Sequence, residues 1–141
     1  MKRVVFGDTS AIVAKLVDTE RYHEETNRVL RDLLREGGRI LTTDYVFDEV
    51  VTRVRSVADH AASVKAGEYI LGSSVVDMLE IDETVREAAW QKYKKYKDHV
   101  FSFTDCTSFA VMEKYKVKVA FTLDSDFAKV GFQTIPSRGK S

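Results

Sequence analysis

Two kinds of hydrophobic pattern alternate along this 141-residue chain, and this alternation constrains its fold more than any other feature. Short β-branched or aromatic runs occur in RVVF, RILT, SVVDMLEI and KVAFT, and they predict strands. The longer stretches between them repeat apolar residues about every 3.6 positions, which predicts helices. The two clearest helical stripes are Val46, Val50, Val54 and Val57, and Val85, Ala89, Tyr93 and Tyr96. Strands separated by helices predict an α/β fold in three α/β/α layers, with a mostly parallel sheet of four to five strands.

The size and composition of the chain fit one domain. We assign residues 1–136 to a single domain and residues 137–141 to a short C-terminal tail. The formal net charge is zero, from 22 basic and 22 acidic side chains, so no overall field draws the chain to nucleic acid or to an anionic membrane. The single cysteine, Cys106, excludes an internal disulfide, and no apolar run reaches the roughly 20 residues of a membrane span. These features predict a cytoplasmic protein without a membrane partner.

Carboxylates follow two of the predicted strands. Asp8 ends the first strand in VVFGDTS, and Asp124 and Asp126 follow KVAFT. In an open parallel sheet, ligands bind beyond the carboxyl ends of the strands, where the strand order reverses. Each acid also has a simpler interpretation, since Asp8 with Thr9 and Ser10 is ordinary helix-start chemistry, and Asp-Ser-Asp is a favourable turn.

Glu49 is a third candidate, on the helix predicted from the valine stripe. Helical geometry places it on the shoulder of that stripe, whereas Asp48 lies on the opposite, solvent-facing side. Arg53 follows Glu49 by four residues, so an ion pair between the two side chains is the alternative interpretation.

Asp105 is the fourth candidate, in FTDCTSFAVM. It shares a helix face with Phe109 and Met112, which directs its carboxylate toward the interior. The alternative is a helix start capped by Thr104, with Asp105 stabilised in the first turn by the helix dipole. Cys106 is interpreted as a small core residue rather than a nucleophile.

These acids predict a metal site if the fold brings them together. Two carboxylates about 5 Å apart repel by about 3 kcal/mol at an effective dielectric constant near 20, so several cannot stay ionised without a cation. A set of oxygen ligands suits Mg²⁺ or Mn²⁺. Such an ion polarises a phosphoryl oxygen and lowers the pKa of water, which is the chemistry that phosphodiester hydrolysis needs.

Four segments of the chain resemble, in order and spacing, the signature segments of PIN-domain ribonucleases. They are FGDTS, FDEVV, FSFTDCTSFAVM and FTLDSDF, and together they span the chain, whose length is similar to that of VapC-type toxins. The resemblance implies a parallel sheet between helices and cleavage of RNA with Mg²⁺ or Mn²⁺, with water attacking phosphorus. It also implies a homodimer that a small antitoxin protein silences.

The resemblance further implies roles for individual residues. The implied metal-binding and catalytic acids are Asp8, Glu49, Asp105 and Asp124, with Asp126 as a supporting acid. The implied residues that orient water or support the acids are Ser10, Thr9, Thr104 and Thr122.

The residues that would hold RNA are less well defined by the sequence. We expect Arg53 and Lys15 to contact the RNA backbone. The segments KYKKYK (92–97) and EKYKVKV (113–119) interleave lysines with tyrosines, but Tyr93 and Tyr96 lie on a stripe expected to face the core, so these lysines are interpreted as a solvated face. Two alternatives stay open, namely an RNA-processing or quality-control PIN nuclease that is not a toxin, and a non-catalytic PIN module that binds RNA or protein.

Overall fold

The computed structural model describes residues 3–137, so the last four residues of the predicted tail lie outside the described part. The strands are β1 (Val4–Gly7), β2 (Arg39–Thr43), β3 (Val76–Leu79), β4 (Val119–Phe121) and β5 (Gln133–Ile135). The helices are α1 (Thr9–Leu16), α2 (His23–Arg35), α3 (Asp44–Val57), α4 (His60–Gly72), α5 (Glu83–Lys95), α6 (Phe103–Tyr115) and α7 (Asp126–Lys129). All strand pairs in this five-stranded sheet are parallel, which confirms the predicted fold class.

The strands lie in the order β3-β2-β1-β4-β5, so the side on which successive strands are added changes at β1. The chain moves from β1 to β2 on one side, and β4 later pairs with the other side of β1. The backbone N–H of Asp8 donates to the carbonyl of Phe121 over 3.0 Å, which holds the end of β1 against β4. Asp8 therefore stands at the carboxyl edge of the sheet, at the switch point where such folds bind ligands.

Alternate residues of the central strands enter two separate cores. Val5 and Ile40 pack with residues of α1 and α2 on one face, whereas Phe6 and Leu41 pack with α3, α5 and α6 on the other. This alternation follows from the two-residue period of a strand. Both faces of the sheet are covered, which gives the three layers.

The predicted helical stripes extend too far. Val46, Val50 and Val54 are buried, but Val57 in the last turn of α3 is 46% exposed. Tyr93 is 44% exposed, so its predicted place in the core is wrong. The Tyr93 ring stacks on the ring of Trp90 at the surface instead of entering the core. In the described part of the chain, no helix is long and apolar enough to cross a membrane.

Gly7, the residue before Asp8, allows β1 to pack closely against β2 and α1. A Cβ atom on Gly7 would lie 2.7 Å from Cγ2 of Ile40 and 3.1 Å from Cδ1 of Ile12, closer than packed carbon atoms approach. The Ile40 methyl cannot swing away easily because a β-branched side chain is stiff at χ1.

We expect Gly7→Ala to lower the free energy of unfolding by about 1–3 kcal/mol, because it overpacks the junction of β1 and β2. Gly72→Ala is the matched control, since a Cβ atom there meets nothing within 4 Å. Chemical denaturation of both variants measures the effect. Equal stability of the two would contradict the role given to Gly7.

Candidate metal centre

Three carboxylates converge at the carboxyl edge of the sheet. Asp105, Asp124 and Asp126 each offer one oxygen, and these three oxygens lie within 4.8 Å of one another. Asp105 lies in the first turn of α6, Asp124 in the loop after β4, and Asp126 is the first residue of α7. All three side chains are half-buried. We call these three residues the carboxylate cluster.

Asp8 lies beside the carboxylate cluster and is only 4% exposed. The hydroxyls of Ser10 and Thr122 both donate to its Oδ2 atom, over 3.0 and 2.7 Å. The same two hydroxyls accept backbone N–H bonds from Leu123 and Asp124, over 2.9 and 3.0 Å. Ser10 and Thr122 therefore fix the carboxylate of Asp8 to the loop that carries Asp124.

Glu49 is joined to the site through Thr9. The Thr9 hydroxyl donates to Oε1 of Glu49 over 2.5 Å and links the start of α1 to α3. Glu49 is half-buried and Asp48 is exposed, as the helical geometry predicts. Arg53 is exposed, and among the residues described it forms no ion pair with Glu49, so the alternative interpretation of Glu49 is wrong.

The start of α6 differs from the prediction. Its N-cap is Ser102 rather than Thr104, because α6 begins at Phe103. The backbone N–H of Asp105 donates to Ser102 Oγ over 2.9 Å, and the backbone N–H of Ser102 donates to Asp105 Oδ2 over 3.1 Å. Asp105 thus combines a capping role with its place in the carboxylate cluster. The Thr104 carbonyl accepts a bond from the Thr107 hydroxyl over 2.6 Å, and a role of the Thr104 side chain near Asp105 stays a prediction.

Ser102 was absent from the residues predicted for the site. The pattern Ser-x-x-Asp at residues 102–105 is a capping-box signal that could have identified it.

The turn interpretation of Asp-Ser-Asp is also correct. Asp126 N–H donates to Asp124 Oδ1 over 2.9 Å, and α7 begins there. The ammonium of Lys129 lies 3.1 Å from Asp126 Oδ1 and places one positive charge at the exposed side of the carboxylate cluster. Lys129 was also absent from the residues predicted for the site, although its position three residues after Asp126 on a helix is a typical ion-pair spacing.

Burial controls the ionisation of Asp8. It raises the pKa of this carboxyl to about 6, and the charge of Asp124 acts in the same direction. The hydrogen bonds from Thr122 and Ser10 lower the pKa but do not cancel the effect of burial.

Burial likewise raises the pKa of Asp105 to about 7, and the charges of Asp8, Asp124 and Asp126 raise it further, while the bond from Ser102 opposes them. The pKa of Asp124 is raised by burial as well. The protein alone therefore resists carrying all of these charges at neutral pH.

The donor set fits a hard divalent cation. All of its ligand atoms are carboxylate oxygens, which Mg²⁺ and Mn²⁺ prefer, and it contains no thiolate or imidazole. An ion that binds oxygen at about 2.1 Å separates opposite ligands by about 4.2 Å, so a cluster of this size needs only small side-chain adjustments. Cys106 is buried in the core and its thiol pKa is raised to about 11 by burial, which matches its predicted structural role.

The two predicted RNA-binding cations lie outside the carboxylate cluster. Arg53 is exposed on α3, one turn after Glu49. Lys15 is half-buried near the end of α1, and its ammonium lies 4.5 Å from the centre of the Tyr69 ring. Their contact with RNA stays a prediction.

The parallel α/β/α fold carries, at its switch point, a carboxylate cluster whose oxygen donors fit a divalent cation. The PIN domain family model matches residues 5–133. The chain belongs to the PIN domain family.

Several known proteins are similar to this chain. The 23S rRNA-specific endonuclease VapC20 of Mycobacterium tuberculosis is 33% identical over 93 residues, which cover 66% of this chain and 70% of that protein. The crystal structure of VapC20, described as a sarcin-ricin loop cleaving toxin, superposes with a TM-score of 0.84 at 30% identity over 91% of this chain and 95% of that one. VapBC2 of Rickettsia felis, bound to a promoter DNA fragment, shares the fold with a TM-score of 0.69 at 11% identity over 93% of this chain and 96% of that one.

The raised pKa values predict how stability depends on pH. The folded state holds the protons of Asp8 and Asp105 more tightly than the unfolded chain, whose aspartates titrate near 3.8. When a chelator keeps the protein free of metal ions, the free energy of unfolding should therefore fall as the pH rises from about 4 to about 7. Asp105→Asn should make this fall smaller.

Asp48→Asn removes the same charge from the exposed face of α3 and is the matched control. Chemical denaturation at several pH values measures the slope for each protein. A slope that is equally steep in wild type and Asp105→Asn would contradict the electrostatic description of the site.

Proposed function

We propose that this chain is a metal-dependent endoribonuclease of the VapC toxin type, which hydrolyses phosphodiester bonds in RNA. The observation that carries the proposal is the carboxylate cluster, with three oxygens within 4.8 Å beside the buried Asp8. Membership of the PIN domain family and the similarity to an rRNA endonuclease support the same activity.

In this proposal, Asp105, Asp124 and Asp126 hold the ion, with Asp8 and Glu49 beside them. A bound Mg²⁺ or Mn²⁺ supplies Lewis acidity toward the phosphate and toward water. The protein's own contribution is to keep the ligand oxygens in place before the ion arrives, so that little reorganisation is left for the reaction.

Ser10 and Thr122 act in this proposal as positioning residues. Both hydroxyls lie within hydrogen-bond distance of Oδ2 of Asp8, and they lie 3.1 Å from each other. This compact network holds the Asp8 carboxylate against the loop that carries Asp124. We therefore propose that Ser10 supports catalysis by fixing Asp8, and that Thr9 does the same for Glu49 through its bond to Oε1.

The proposed partners are RNA as substrate, a second copy of the chain, and a small antitoxin protein. VapBC2 of Rickettsia felis and VapBC-1 of Haemophilus influenzae share the fold of this chain, and their names support the antitoxin. We also propose a cytoplasmic location and a single domain that ends at residue 136.

Asp105→Asn tests the proposed function most cleanly. The amide oxygen can still accept the bond from Ser102 N–H, so the helix cap survives while one ligand charge is lost. We expect metal-dependent RNA cleavage to fall about a hundredfold or more, since a metal-site contribution of several kcal/mol corresponds to that factor. We expect the stability without metal to stay equal or to rise, because repulsion between the acids is relieved.

RNA cleavage and thermal unfolding, each with and without Mn²⁺, measure these effects on the same samples. Asp48→Asn should retain both cleavage and the stabilisation by Mn²⁺. If wild type gains no stability from Mn²⁺ and cleaves no RNA, the non-catalytic alternative is correct. If Asp105→Asn cleaves RNA at the wild-type rate, Asp105 has only a capping role.

A further inference from the structure

We propose that Trp90 and Tyr93 form a platform on which an unpaired base of the RNA substrate stacks, an inference that rests on the proposed ribonuclease function. The two residues lie on the solvent side of α5 and are 45% and 44% exposed. Their rings are nearly parallel, with an interplanar angle of 12° and centroids 5.7 Å apart. Exposed, parallel aromatic rings of this kind are how proteins bind the flat faces of single-stranded bases.

Phe103 lies between the platform and the carboxylate cluster. The Phe103 ring lies 6.3 Å from that of Trp90 and 6.1 Å from that of Tyr93. Phe103 is the first residue of α6, two residues before Asp105. A base on the platform would therefore lie beside the first turn of α6, which carries a proposed metal ligand.

A fourth ring links the platform to α3. Tyr45 lies 6.1 Å from Phe103 between ring centroids, and it stands four residues before Glu49 on the same side of α3. Two of the helices that carry the proposed acids thus each contribute one ring to the same aromatic surface.

The charged side chains around the platform are of both signs and balance one another. The ammonium of Lys94 lies 5.9 Å from the centre of the Trp90 ring, and Arg86 lines the adjacent cavity with Trp90 and Phe103. Glu83 and Glu87 line the same cavity. Stacking, rather than net charge, is therefore the main source of the proposed affinity.

Another exposed apolar surface is available for contact with a second copy of the chain. Three exposed aliphatic side chains lie on α3 and α4, namely Val57, Val64 and Leu71. That aliphatic surface is available for a contact between protein copies, whereas the platform packs against Phe103, two residues from the proposed ligand Asp105. We therefore assign the platform to RNA.

Tryptophan fluorescence tests stacking directly, because Trp90 is the single tryptophan of the chain. The experiment uses the Asp105→Asn variant, which is expected not to cleave the RNA. A short single-stranded RNA should quench the emission of Trp90, whereas a strand of equal length made of abasic ribose phosphates should not. Quenching by both strands, or by neither, would overturn the proposal.

Kinetics in the otherwise wild-type protein provides the second measurement. Tyr93→Ala should raise the KM for RNA about fivefold or more and leave kcat nearly unchanged, because it removes a contact to a base and none to the reacting phosphate. Tyr93→Phe should restore the wild-type KM. Tyr115→Ala is the matched control, since Tyr115 is 49% exposed with Lys114 near its ring, at the opposite end of α6 from Asp105.

The outcomes separate this proposal from the function on which it rests. If wild type cleaves RNA and Tyr93→Ala has an unchanged KM, the platform is wrong and the ribonuclease function stands. If wild type does not cleave RNA, the function fails, and the quenching experiment still decides whether a base stacks on Trp90. A change in Trp90 emission with protein concentration in the absence of RNA would assign the surface to a second copy and overturn the proposal.

Discussion

The repulsion between buried carboxylates at one edge of the sheet is the constraint on which the rest of the structure depends. The fold holds Asp105, Asp124 and Asp126 within 4.8 Å and sets Asp8 beside them. Gly7 allows the close packing at the end of β1, while Ser10 and Thr122 fix Asp8. These interactions hold the acids together despite their mutual repulsion, and the proposed divalent ion would offset that repulsion.

Much of the fold and part of the site follow from the sequence. Apolar runs that end on Asp8 and Asp124 identify the carboxyl edge of a parallel sheet, because both strands end there. The partner of Glu49 could not be predicted, since Thr9 lies 40 residues away and only tertiary packing brings it near. The four-residue spacing within the predicted helix favoured Arg53 as the partner of Glu49 instead.

Other features depend on where each helix begins and how far its buried stripe extends. Ser102 is the cap of α6 only because the helix starts at Phe103, a boundary that periodicity alone does not define. Tyr93 is exposed, and its ring stacks on that of Trp90 instead of entering the core. This pairing places two aromatic rings on the surface near the acids, where they are available to a ligand.

The most direct test of the central claim is the anomalous diffraction of Mn²⁺ in crystals of this protein. The structure predicts an anomalous peak bound by carboxylate oxygens of Asp105, Asp124 and Asp126 at the edge of the sheet. An ordered, metal-free carboxylate cluster in crystals saturated with Mn²⁺, or a peak only at other residues, would contradict the claim that these acids form a metal site.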